Sequence, residues 1–214
     1  MRSKEIENLK KGIKLTKIQR SIVIGLILGD GHLETQNGGR TYRLKIEHSI
    51  KQKDYVDWLY GKLKNITVSK PKLKEKKLKG REYKSYWFTT YSLGLFRFYG
   101  QQFYSNGKKI IPKIIAKLLD PLAMAVWFMD DGSFKSNRHR TFIIHALGYS
   151  KADLLQVKQS FKEKFDIDVG LHRQKGNKFR LYIFSESASK FRKLVELYII
   201  PTLRYKLGEH MPKE

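Results

Sequence analysis

The spacing of apolar residues changes several times along the chain, and each change marks an element. From Thr16, Ile22, Val23, Leu26 and Ile27 recur at helical spacing up to a break at Gly29-Asp30-Gly31. Thr16 followed three residues later by Gln19 is a capping-box start for that helix. Two strand-like runs then follow, 31–36 and 41–48, the second written TYRLKIEH with apolar and polar residues alternating. KQKDYVDWLYGKLKN returns to helical spacing, strands follow near 72–78 and 82–90, and a helix is expected from Leu93 to Tyr104.

The pattern then repeats. Asp120-Pro121 is a second helix start, with proline at the first helical position, and Ala123 to Met129 carry it to Asp130-Asp131-Gly132. Strands are expected at 132–136 and 141–147, a helix over SKADLLQVKQSFKEKF, strands at 167–173 and 178–184, and a helix over SASKFRKLVELYI. The order helix, two strands, helix, two strands, helix is thus written twice, with KKIIP and YIIP closing the copies at Pro112 and Pro201. A period of about 100 residues is too long for a solenoid and suits a duplicated half-domain. The expected layout is an N-terminal extension (1–15), a first half (16–112) and a second half (113–214).

Composition narrows the partner. The 214 residues carry 44 Lys and Arg against 20 Asp and Glu, a formal charge of +24, and such self-repulsion makes sense when a polyanion neutralises it. No segment reaches the ~20 apolar residues of a membrane span. The absence of cysteine removes disulfides and cysteine-ligated zinc. The start MRSKEIENLKK has no apolar signal core, and Lys- and Ile-rich composition suits an AT-rich organelle genome.

GLILGDG (25–31) and AVWFMDDGS (125–133), set in this repeat and this charge, resemble the paired motifs of the monomeric, single-chain LAGLIDADG homing endonucleases, in particular the intron-encoded branch. The resemblance covers about Thr16 to Leu207. It implies an α+β fold of two pseudo-symmetric αββαββα halves, each an antiparallel four-stranded sheet backed by helices, joined at a two-helix interface. It also implies a monomer that makes a metal-dependent double-strand break with short 3′ overhangs in double-stranded DNA and so spreads its host intron.

The residues agree with that picture. Gly25 and Gly29 leave a flat stripe on the first helix that admits a second backbone, while Val126 and Asp130 stand at the matching places of the second helix, so the pairing is expected to be asymmetric. Side-by-side packing would bring Asp30 and Asp131 together at two negative helix ends, an arrangement that cations make favourable. Hard oxygen ligands suit Mg²⁺, with Mn²⁺ as a substitute. By resemblance Asp30 and Asp131 hold the metal, main-chain carbonyls at Gly29 and Asp130 complete its shell, and Lys109 and Lys206 organise water or charge. These two lysines do not match each other by sequence.

The strands supply a binding face. Arg43, Lys45 and Glu47 alternate with Tyr42, Leu44 and Ile46; Lys178, Arg180 and Tyr182 alternate with Phe179, Leu181 and Ile183. Lys72, Lys74 and Lys76 share one side of their strand, and Lys84 and Tyr86 are expected to continue it. Arg40, Lys135, Arg138, Arg140 and Arg173 extend the set of candidate DNA contacts. Polar strands can lie in the major groove, and two sheets side by side would cover roughly 15 to 20 base pairs. The six histidines, His32, His48, His139, His145, His172 and His210, show no metal-ligand spacing and read as structural or groove-facing. Trp58, Trp87 and Trp127 read as core. A second class remains open beside the enzyme: a group I intron RNA maturase, which adds intron RNA as a partner, or a non-cleaving DNA-binding protein of the same fold.

Overall fold

The structure, a computed structural model, describes residues 8, 10, 12–78 and 80–209. His210 and most of the expected extension 1–15 lie outside the described residues. In chain order come α1 (Lys17–Leu28), β1 (His32–Glu34), β2 (Arg43–Ser49), α2 (Lys53–Leu63), β3 (Lys72–Leu78), β4 (Arg81–Thr89) and α3 (Arg97–Phe103). A short hairpin, β5 (Tyr104–Ser105) and β6 (Lys108–Lys109), and a single turn, α4 (Ile115–Leu118), lead to α5 (Pro121–Asp131). The second set is β7 (Gly132–Phe134), β8 (Phe142–Ile144), α6 (Lys151–Phe165), β9 (Val169–Gln174), β10 (Lys178–Ile183), α7 (Ser185–Val195) and a 3-10 segment, Pro201–Leu207.

Two four-stranded antiparallel sheets have the same order, β1-β2-β4-β3 and β7-β8-β10-β9. The duplicated α+β topology expected from the sequence is therefore present. The described residues form two compact units, one from those up to Arg20 with those of Asp30–Gly100, the other from Ser21–Gly29 with 101–209. The motif segment of α1 thus packs in the second unit, beside α5.

In the first unit, α1 starts with the expected reciprocal cap: the Thr16 amide donates to Gln19 Oε1 at 3.1 Å and the Gln19 amide to Thr16 Oγ1 at 3.2 Å. β2 buries Leu44, Ile46 and His48 and leaves Arg43, Lys45 and Glu47 on its other face. α2 covers the apolar face with Tyr55, Val56, Leu59 and Leu63. β3 is exposed along all seven residues and is held by its pairing with β4. Trp58 and Trp87 are only half-buried, correcting the expectation that they are core. Trp87 lies opposite Glu47 and Lys72, on the polar face. An aromatic strand residue belongs to whichever face its register selects.

The second unit has an aromatic core in which Phe128 meets Phe142 and Phe191 edge-on, and Phe161 stacks on Phe191. α6 carries a capping box between Ser150 and Asp153. α5 starts where Asp120 accepts from the Ala123 amide at 2.8 Å, with Pro121 in the first turn. Ala123 to Met129 and Ile22 to Leu28, Gly25 included, are buried with almost no exposure. Apolar surface all round a helix requires partners all round.

Where α1 and α5 meet, the glycine stripe takes the larger residues of its partner. A Cβ on Gly25 would stand 2.5 Å from the Ala123 carbonyl oxygen and 2.6 Å from Val126 Cβ, and one on Gly29 would collide with the Asp130 carboxylate. The expected asymmetric pairing is present, small against large at both positions.

Two local features differ from the sequence expectation. α7 starts at Ser185 and stops at Val195, and the apolar tail ELYII leaves the helix so that Ile199 and Ile200 are buried while Leu197 is 83% exposed. Ile200 is extended, as the residue before Pro201 is held out of the helical region, and the 3-10 segment starts at that proline. The β5–β6 hairpin turns on Asn106 and Gly107, both with positive φ, a tight-turn pair that ends α3 at Phe103.

Candidate functional site

Each motif helix ends in carbonyls that have no partner within the helix. In the second unit they are met by side chains from distant parts of the chain. Lys109, delivered by the β5–β6 hairpin, donates from Nζ to the Gly29 carbonyl at 2.6 Å. Lys206, from the 3-10 segment, donates to the carbonyls of Met129 at 2.5 Å and Asp130 at 3.0 Å and is 8% exposed. Gly29 and Asp130 each directly precede a motif aspartate. The two lysines that sequence could not align thus do the same thing at equivalent places, and positive charge at a helix C-terminus opposes the dipole.

The aspartates have different surroundings. Asp30 opens the first unit with its side chain 54% exposed, and its carboxylate lies 3.7 Å from Nδ1 of the buried His48. Asp131 is half-buried and accepts from Trp127 Nε1 at 3.2 Å, while its own carbonyl accepts from the His145 amide at 2.9 Å. His145 Nε2 lies 3.0 Å from Ser133 Oγ, and burial, with Arg180 and Lys206 nearby, pushes its pKa down.

On the polar face of the first sheet, Arg43 pairs with Glu34 at 2.7 Å. Glu47 accepts from Lys45 at 2.9 Å, Lys74 at 2.9 Å and Ser85 at 2.7 Å. Burial pushes the Glu47 carboxyl up, but these three donors outweigh it and bring the pKa down to about 2. Glu34, Arg43, Lys45, Lys74, Trp87 and Thr89 line an open cleft of about 240 Å³. Lys72, Lys74 and Lys76 pair with Trp87, Ser85 and Tyr83 and share this face.

Lys84 and Tyr86 do not continue it. They pair with Glu75 and Leu73, and Tyr86 also pairs with His48, so both stand on the opposite face. There Lys84 bridges Glu75 at 2.8 Å, and Lys53 sits 5.4 Å from the Tyr86 ring. Within one strand parity is readable from sequence; across a hairpin it is set by the turn.

The second sheet presents Lys178, Arg180 and Tyr182 on one face as expected. Tyr182 is buried there, stacked on His172 with ring centroids 4.3 Å apart and approached by Lys135 at 4.7 Å. Arg180 donates to Gln174 Oε1 at 2.6 Å. Arg173 pairs with Phe179 and so falls on the other face, exposed. Arg138 and Arg140 are exposed in the β7–β8 connection, and Arg40 donates to the Asn37 carbonyl.

Sequence reasoning missed His48, Trp127 and Tyr149 as neighbours of the motif ends. His48 had a signal, a polar residue at the apolar parity of β2. Trp127 stands four residues before Asp131, the spacing that stacks side chains along a helix. Tyr149 lies in a loop with no periodicity, and its hydroxyl donates to the Leu28 carbonyl at 2.9 Å.

Comparison with known proteins agrees with this geometry. The sequence profile of the LAGLIDADG DNA endonuclease family matches residues 20–191. The chain is 30% identical over 203 residues to the cytochrome b mRNA maturase bI2 of Saccharomyces cerevisiae, covering 89% of this chain but 47% of that protein, so it spans about half of that relative. It is 30% identical over 212 residues to the probable intron-encoded endonuclease 1 of Wickerhamomyces canadensis, covering 96% and 90%. Among solved structures, the homing endonuclease I-WcaI bound to its DNA recognition sequence superposes with a TM-score of 0.87 at 28% identity, over 94% of this chain and 91% of that one. Among the described residues no helix is long and apolar enough to cross a membrane.

Proposed function

Because the chain belongs to the LAGLIDADG DNA endonuclease family, we propose that it is a site-specific homing endonuclease that cuts both strands of a long, asymmetric DNA site, roughly 15 to 20 base pairs, leaving short 3′ overhangs and promoting mobility of its host intron. The observation that carries this reading is the pair of motif aspartates, Asp30 and Asp131, each following a helix-end carbonyl held by a lysine. An organelle gene is the host that composition and the relatives' names favour.

The donor set fits a hard divalent cation, Mg²⁺ with Mn²⁺ as a substitute. Asp30 is open enough to take a cation together with its waters, and both aspartates offer carboxylate oxygens. The Gly29 and Asp130 carbonyls, each oriented by a lysine, complete the proposed ligand set. When bound, the cation supplies Lewis acidity at a phosphodiester and lowers the pKa of water. The chain's own residues do the rest. Trp127 holds the Asp131 carboxylate in one orientation. Lys109 and Lys206 place an ammonium beside each motif end, where charge builds on a phosphate as it is attacked.

The polar sheet faces hold the DNA. Arg43, fixed by Glu34, is suited to the acceptors of guanine, and Lys45, Lys72, Lys74, Lys76 and Lys178 to phosphates. Arg40, Lys135, Arg138, Arg140, Arg173, Lys84 and Tyr86 remain proposed as flanking contacts, Lys84 and Tyr86 from the hairpin's other face.

The test is a cleavage selection on long randomised duplexes with Mg²⁺, with Asp30→Asn and Asp131→Asn in parallel. One enriched long site with staggered 3′ ends, lost in both variants while binding persists, is the expected result. Cutting at the wild-type rate by either variant would refute the ligand assignment. A second reading, an intron RNA maturase, is favoured by the likeness to the bI2 maturase. Wild-type protein that binds group I intron RNA and cuts no duplex would select it.

A further inference from the structure

The carbonyls at equivalent motif positions, Leu28 and Gly29 on α1 and Met129 and Asp130 on α5, are met by different side chains. On α5 one group does both tasks, since Lys206 donates to Met129 and to Asp130. On α1 the same two positions, Leu28 and Gly29, are divided between Tyr149 and Lys109. The Tyr149 hydroxyl donates to the Leu28 carbonyl at 2.9 Å and also lies 3.4 Å from that of Ile27, while Lys109 takes Gly29. Tyr149 is 8% exposed and comes from the connection between β8 and α6, about 120 residues from its acceptors along the chain. Burial and the nearby Asp131 both push its phenol pKa up, so the hydroxyl keeps its proton throughout the neutral range.

We infer that Tyr149 is a positioning residue for the first motif: it fixes the last turn of α1, and through it the peptide that carries Asp30, taking at Leu28 the part that Lys206 takes at Met129 on α5. This rests on the proposed cleavage function. Helix ends are where backbone frays, and Gly29, bonded by its amide to the Gly25 carbonyl at 3.0 Å, has no side chain of its own to lock that turn. The phenol hydroxyl and the Lys109 ammonium supply the restraint from outside. A consequence is asymmetry between the two DNA strands, because losing Tyr149 leaves the Lys206 end intact.

The experiment uses Tyr149→Phe, which keeps the ring and removes the hydroxyl. Two readouts are needed. In supercoiled plasmid carrying the selected site, the variant should cut one strand about 5-fold more slowly and accumulate open circle, with the second strand cut at the wild-type rate; that factor corresponds to about 1 kcal/mol, one hydrogen bond. In hydrogen exchange on the free protein, amides of residues 25–31 should exchange at least about 5-fold faster while those of α6 and α7 are unchanged. Equal slowing of both strands, or unchanged strand rates with unchanged exchange, overturns the inference. If the wild type cuts no DNA, the cleavage reading fails by itself, and the exchange measurement alone decides whether Tyr149 restrains the α1 end.

Discussion

Replacing Gly25 by alanine tests the helix contact most directly, because the same substitution at Gly61 should have the opposite sign. Both glycines are helical. A Cβ at Gly25 would stand 2.5 Å from the Ala123 carbonyl oxygen, 2.6 Å from Val126 Cβ and 2.9 Å from Val126 Cγ1. Backbone and a β-carbon are the least yielding neighbours a methyl can meet, so α1 and α5 must move apart. Overpacking of this kind costs ~1–3 kcal/mol, and rigid obstacles put this site at the upper end. Alanine's better helix propensity returns ~1 kcal/mol, leaving a net loss of about 2 kcal/mol. At ~2–4 °C per kcal/mol for a chain of this size, Tm should fall by about 4–8 °C. Gly61 lies exposed in α2 with nothing within 4 Å of a built Cβ. There the propensity gain stands alone, and Tm should rise by about 2–4 °C. Calorimetry at one fixed salt concentration measures both. Gly25→Ala as stable as wild type would show that the helices tolerate wider spacing and would remove the reason for a glycine stripe.

Two further outcomes follow from the charged face. The Glu47 pKa in the folded protein, about 2, lies below its ordinary 4.5, so its contribution to stability is present above pH 4.5 and is lost as pH falls towards 2. Glu47→Gln should therefore flatten the acid limb of a stability-against-pH curve over that window, and an unchanged limb would show that Lys45, Lys74 and Ser85 do not hold the ionised form. DNA affinity should fall by ~10³-fold or more between 50 and 200 mM salt if six or more phosphates are neutralised, and a titration with a flat response would discount the lysine-rich faces as the binding surface.

The periodicities and caps were legible in the sequence because they are local. Thr16 with Gln19, Asp120-Pro121 and the alternation of 41–48 each encode an element within a few residues, and all three are present. Repetition of that local code revealed the duplicated α+β fold, and with the terminal Asp-Gly pairs it marked Asp30 and Asp131 for attention. Where information had to cross a turn or a long stretch of chain, sequence was silent. The face taken by Lys84 and Tyr86 depends on the hairpin register, and the place of Trp87 on the polar face has the same origin. Lys109 and Lys206, mismatched in sequence, reach equivalent carbonyls because an Asn-Gly hairpin delivers one and a 3-10 segment the other. His48 and Tyr149 join the motif ends through strand pairing and loop packing that no period of 2 or 3.6 records. What each element is follows from neighbours in the chain; what surrounds a motif aspartate follows from which distant backbone groups still need a partner, and only the packed structure assigns them.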